Sequence, residues 1–356
     1  MIASLRSLSH RAVPAIAIGS VFALASCSFG SGDNRAPQDA EEAAVQGDAS
    51  PASSPKAADP AGKVIDAPKG MQELDDVEST AGTLAVRSAD KLAVGSLADF
   101  ANGQAEIVPL DAKCGDITTA EDAFLAPCGD EVLLISATQL GEVSHIKIDE
   151  EFPVTAAAVT GSGELFVTSQ TDERIAVYKD GERIDEIRAE PGSDQLLAVG
   201  NPGTADGVVR VKREDTTIQS LDWENSRAGG RLRVGQGLGE AATSRDGVIV
   251  VSDTVGKRVA IYTDDDVVRL HQFGLTDGTP WAVSWDPERK VAWATTTDNN
   301  QAQAFDISTG VPKSRGTFAT VANAQSMTVL DDGTVVLASA SGDGLQAVSD
   351  PKLDDK

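Results

Sequence analysis

Few residues of this chain are of the types that do chemistry, and their spacing limits what that chemistry can be. Three histidines occur, His10, His145 and His271. None stands in an H-x-x-x-H spacing or beside a cysteine that would complete a metal set. Asp264, Asp265 and Asp266 form an acidic run, but adjacent side chains diverge, whereas a hard cation needs oxygens that converge. The run therefore reads as a solvated turn. No G-x-S-x-G elbow or phosphate-cradling glycine loop is present, so no catalytic residue, metal or cofactor is implied. Three cysteines remain to be placed. Cys114 and Cys128 are either a disulfide or two buried thiols, and closing a loop of about 15 residues is worth roughly 3 kcal/mol in the chain-entropy picture.

The third, Cys27, belongs to an address. Arg6 and Arg11 precede a largely apolar stretch over residues 12–24, the length of a signal-peptide core and short of the roughly 20 residues that a membrane-spanning helix needs. The segment Leu24-Ala25-Ser26-Cys27 resembles a bacterial lipobox. That resemblance, to bacterial lipoproteins of actinobacterial type, implies a signal peptide over residues 1–26, diacylation of Cys27 and localisation at the cell membrane on its extracytoplasmic side. Export in turn favours the Cys114–Cys128 disulfide. Residues 27–70 are rich in Ser, Pro, Ala, Gly, Asp and Glu and almost devoid of large apolar side chains, the composition of a flexible spacer.

The formal charge is −25, and loss of Arg6 and Arg11 with residues 1–26 takes it to −27. Such a balance excludes nucleic acid, which rewards clustered Lys and Arg. It also disfavours adsorption to anionic lipid, leaving membrane attachment to the acyl chain. The expected partner is an envelope protein or polymer.

The elements that position everything else repeat. Val-rich strands at residues 92–96, 132–136, 165–169, 208–211, 248–252, 291–295 and 335–339 are separated by about 33 to 44 residues. Tight turns such as Arg245-Asp246-Gly247 and Asp331-Asp332-Gly333 precede them, and alternating strands such as Arg174 with Ile175, Ala176, Val177 and Tyr178 follow. Four antiparallel strands per 40 or so residues make a propeller blade. The units look like the YVTN and NHL types of bacterial β-propeller repeat, a likeness covering roughly residues 83–348. The fold class is thus all-β: a seven-bladed β-propeller over residues 71–350, followed by a charged tail over residues 351–356. The fourth unit, around Arg210, is the least regular. The last unit lacks an outer strand, and a strand from residues 63–79 is expected to close it, because an open blade would expose unpaired backbone.

In this fold the loops entering the innermost strands ring the channel. They place Glu151, Glu240, Asp277, Trp281, Asn323 and Gln325 on a candidate binding face. Trp285 and Trp293 are expected between blades, and His145 and His271 on outer strands. Two function classes follow. A binding or scaffold module predicts a partner and no turnover. A propeller enzyme, lactonase-like or quinone-dependent dehydrogenase-like, predicts carboxylates converging in the channel, whereas the entry loops offer chiefly Glu150, Glu151, Glu240 and Asp277.

Overall fold

A strand packed on both faces cannot alternate, and the second strand of each unit does not: all six residues of Val248–Asp253 are buried, as are all six of Val291–Thr296. Outer strands face water on one side and read accordingly, with Glu182–Arg188 and Val268–Leu275 mostly exposed. This inward gradient of burial is what a radial stack of sheets demands. The computed structural model describes residues 47–264 and 267–354. Within them lie seven four-stranded antiparallel sheets. Their innermost strands are Asp76–Thr80, Thr118–Thr119, Ala156–Val159, Gln195–Val199, Leu238–Thr243, Pro280–Asp286 and Ala324–Val329, which begin blades 1 to 7.

The core is divided in the same way. Each of the hydrophobic clusters joins one pair of neighbouring blades, from Leu92, Ile117 and Phe124 between blades 1 and 2 to Trp293, Met327 and Leu337 between blades 6 and 7. The ring closes through Ile65, Leu84, Val86, Val336 and Leu345, between blades 7 and 1.

The ring closes by strand pairing, as expected. Strand Lys63–Ile65 pairs antiparallel with Leu345–Val348, giving the last blade its outer strand. Gly62 makes this possible: its φ is +70°, and a Cβ there would stand 2.3 Å from the Ala347 carbonyl oxygen. The rest of the expected clasp segment does something else. Asp76–Thr80 is the innermost strand of blade 1, paired with Thr83–Ser88.

That correction has a cause in the repeat itself. Lys91–Gly95 and Glu131–Ser136 are the third strands of blades 1 and 2, where the corresponding Val-rich strands of blades 3 to 7 are second. Both are nearly as buried as the second strands beside them, so apolarity alone does not tell the two positions apart. The fourth unit is a complete blade. Its irregularity is Arg210, a buried guanidinium among valines that donates to the carbonyls of Glu190 and Gly192 at 2.6 and 2.9 Å.

The spacer expected to run to residue 70 also needs correcting. From residue 47 it is laid over blades 5 to 7. Ser54 and Asn323 exchange two hydrogen bonds, of 2.8 and 3.2 Å, and Ser54 Oγ donates to the Thr297 carbonyl at 2.6 Å. Asn300 donates to the Pro55 carbonyl at 2.8 Å, and Ala49 packs on the Trp281 cluster. At the other end, residues 351–354 are tied along the outer strand of blade 6, where Arg315 Nε donates to the Asp354 carbonyl at 2.7 Å. The signal peptide, Cys27, residues 28–46 and two members of the acidic run, Asp265 and Asp266, lie outside the described residues.

Candidate functional site: an acidic central funnel

Seven innermost strands converge on a central cavity of about 1290 Å³. Its lining takes in the hairpin between first and second strands of every blade, from Ala81 and Asp122 to Pro287 and Asp331, and none of the turns between second and third strands. The cavity is therefore a funnel open on the hairpin face. Its inner end lies where the innermost strands begin.

Ten carboxylate side chains and one arginine line it. At the mouth, Glu121, Asp122 and Asp331 are exposed. At the floor, Asp76 and Glu78 come from blade 1, Asp116 from the loop into blade 2 and Glu240 from blade 5. Each is placed by a local device. Asp76 and Glu78 fall two apart on one strand and so share a face. Asp116 sits inside the loop closed by the Cys114–Cys128 disulfide. Arg87 grips that loop, donating to the carbonyls of Cys114, at 2.6 Å, and Gly115. Gly115 presses so close to blade 3 that a Cβ would stand 1.6 Å from the Thr155 carbonyl oxygen. Asp116 then reaches past blade 3 to accept a 3.2 Å hydrogen bond from Gln195 of blade 4, whose side chain is itself clamped to the backbone of Ala241 in blade 5. A register shift between Leu238 and Ala241 releases Glu240 from the ladder. Its carboxylate takes Arg213 Nη2 at 2.7 Å, while Arg213 Nε goes to the Gly239 carbonyl.

The four floor carboxylates are half-buried, and that burial governs their protonation. Burial, with the field of Asp116 added, raises Asp76 to about 7. Burial raises Glu240 to about 7 as well, outweighing its contact with Arg213. Glu78 lies well above the usual carboxylate range for the same reason, reinforced by Asp76. Asp116 is raised by burial, against the pull of Arg213 and its hydrogen bond from Gln195.

The six face residues read from sequence separate. Glu240, Trp281 and Gln325 line the funnel. Asn323 lies under the segment that begins at residue 47, held by Ser54. Glu151 is exposed at an ion pair with Arg174, and Asp277 is exposed and takes Gln303 Nε2 at 2.7 Å. The entry face is thus partly occupied by the chain itself, and the open mouth is on the opposite side. Trp293 is fully buried between blades, as expected. Trp285 packs between blades 5 and 6 and also reaches the funnel wall, where its Nε1 donates to Asp246 at 3.2 Å. His145 and His271 sit on outer strands, against Glu131 and Thr263. Asp76 and Glu78 escape the sequence reading because it assigns residues 63–79 whole to the clasp. Alternation within Asp76-Val77-Glu78 was the available signal.

No family model matches this chain, and no curated protein matches it in sequence. Solved structures do match in shape. A chain of the mitotic checkpoint complex superposes with a TM-score of 0.65 at 11% identity, covering 92% of this chain and 99% of that one. A streptogramin B lyase gives 0.61 at 12% identity over 78% and 94%. Virginiamycin B lyase from Staphylococcus aureus gives 0.60 at 12% over 79% and 96%. Identities this low establish the propeller fold and nothing finer.

Proposed function

We propose that this chain is an extracytoplasmic binding module, held to a membrane by a lipid on Cys27, whose ligand enters the funnel from the hairpin face. One observation carries the reading: a cavity of about 1290 Å³ opens through the hairpins of all seven blades, while the segment from residue 47 covers part of the other face. Among the described residues no helix is long and apolar enough to cross a membrane.

Two measurements test it. Cys27→Ala should release folded protein from the membrane fraction, and continued attachment would remove the anchor. Mild cross-linking of the anchored protein should capture a partner or ligand whose yield falls with Glu121→Arg and Asp331→Arg at the mouth but not with Asp277→Ala on the entry face. The opposite pattern would move the binding face.

A second reading, a channel enzyme, is favoured by Asp76 and Glu240, whose carboxyls titrate near 7 and so suit proton transfer. Proteins named as lyases share the fold. Turnover of the bound ligand that disappears in Asp76→Asn would establish it.

A further inference from the structure

The floor of the funnel carries more negative charge than the protein compensates. Four carboxylates line it, Asp76, Glu78, Asp116 and Glu240, and behind them Asp194, whose Oδ2 accepts the backbone N–H of Arg213 at 2.7 Å, adds its field to Asp116 and Glu240. Two guanidiniums face them. Arg213 is committed to Glu240, and Arg87 to the carbonyls of the disulfide loop. Asp76 Oδ1 takes the Ser326 hydroxyl at 2.9 Å, but its Oδ2 is closed to solvent and has no donor. Among the described residues no hydrogen bond or ion pair reaches the Glu78 carboxylate. A carboxylate removed from water without a partner is costly, and the cost is relieved by a proton or by a cation.

The geometry selects the kind of cation. No three carboxylate, histidine or cysteine side chains among the described residues lie close enough to share one metal ion, whereas calcium needs six or more oxygens at about 2.3–2.6 Å. The cavity is also far larger than an ion. Its walls carry Ser79, Thr80 and Ala241, small side chains that admit an extended chain, and the largely buried Trp281 and Trp285 reach its edge.

We propose that the funnel floor is a binding site for an organic cation with an alkylammonium or guanidinium end, seated between Asp76, Glu78 and Asp116. The site rests on the channel reading above and specifies its ligand chemistry. Such an end belongs either to a free amine or to a Lys or Arg side chain of a basic peptide, and it displaces the protons that the floor carboxylates hold. Asp194, Glu240, Arg87 and Arg213 also act on these carboxylates, two acids against two guanidiniums, so the net field stays negative once those protons leave.

Calorimetric titration of the full chain tests this with 1,4-diaminobutane, a short Lys/Arg peptide, the diacetylated diamine and calcium chloride. At about pH 8 at least one of the two cationic organic probes should bind with proton release, and affinity should drop about tenfold or more by about pH 5.5 as protons compete. Which probe binds identifies the source as small molecule or protein segment. Glu78→Gln should weaken that binding about tenfold or more without lowering the melting temperature, since it removes a charge without a partner. Equal binding of the neutral diacetylated probe, binding of calcium alone, binding of no probe, or wild-type affinity in Glu78→Gln would each overturn the site. A cross-linked ligand that still depends on Glu121 and Asp331 but is indifferent to Glu78→Gln would remove the floor site and leave the channel reading intact.

Discussion

A carboxyl group that titrates near 7 in the folded chain holds a proton which the unfolded chain has already released, and that difference sets how stability moves with pH. For Asp76 and Glu240, both raised to about 7 chiefly by burial, the native state binds more protons than the unfolded state between the ordinary carboxylate range and 7. Stability from these groups is therefore present in full below that range and is lost as pH rises through about 7. Two other carboxylates act in the opposite sense. Against the cost of burial, hydrogen bonds from Lys179, Ser162 and Thr160 hold Glu164 at about 2, and Arg174 holds Asp172 at about 2. Their contribution is lost as pH falls through 2. The ligand-free protein should accordingly melt highest at about pH 4–6 and lower at about pH 8. Asp76→Asn should raise the melting temperature at pH 8 by about 3 °C or more, roughly what 1 kcal/mol gives in a domain of this size, and should flatten the decline. An unchanged slope in scanning calorimetry would mean that Asp76 does not hold its proton.

At the scale of the element, the strand that closes the ring is short, and its contribution is concentrated in two residues. Lys63–Ile65 makes only three residue pairings, but Ile65 is buried in the cluster shared by blades 7 and 1, and Gly62 lets the chain pass the Ala347 carbonyl. Ile65→Ala should cost about 2–5 kcal/mol, the range for truncating a core aliphatic side chain, and Gly62→Val should cost more by unseating the strand. Urea denaturation decides: two variants indistinguishable from the parent would leave the ring closed by other contacts. The clasp was readable in the sequence because a missing fourth strand in the last unit is a local vacancy that unpaired backbone makes expensive. Blade number was readable because two-sided burial forces apolar runs at regular intervals. Strand phase was not, since the third strands Lys91–Gly95 and Glu131–Ser136 are also apolar, and that ambiguity concealed Asp76 and Glu78. Asp116 was concealed differently. Its position depends on Arg87, Gly115 and Gln195, contacts that join blades 1 to 4 and leave no mark in any one of their sequences.

Across the whole molecule, the two faces of the ring are unlike. The hairpin face holds the funnel mouth, and the face with the entry loops and the turns between second and third strands carries the segment that begins at residue 47, fixed by Ser54 to Thr297 and Asn323 and by Asn300 to Pro55. The segment from residue 47 thus lies on the side away from the mouth and leaves the funnel opening clear. Sequence composition pointed to a spacer here because Ser, Pro and Ala bury little surface; what holds the segment is hydrogen bonding to its backbone and to Ser54, which composition does not register. The contacts at stake are few, so the effect should be modest. Ser54→Ala removes the hydroxyl that donates to the Thr297 carbonyl and accepts the Asn323 N–H, and should lower stability by about 1–3 kcal/mol. The same change should expose the backbone of residues 47–61 to faster hydrogen exchange while leaving the exchange of the inner strands and the capture of a ligand at the mouth unaltered. Faster exchange in Gln195–Val199 or Leu238–Thr243, or loss of ligand with Ser54→Ala, would mean that the two faces are coupled through the ring and that the covered face takes part in binding.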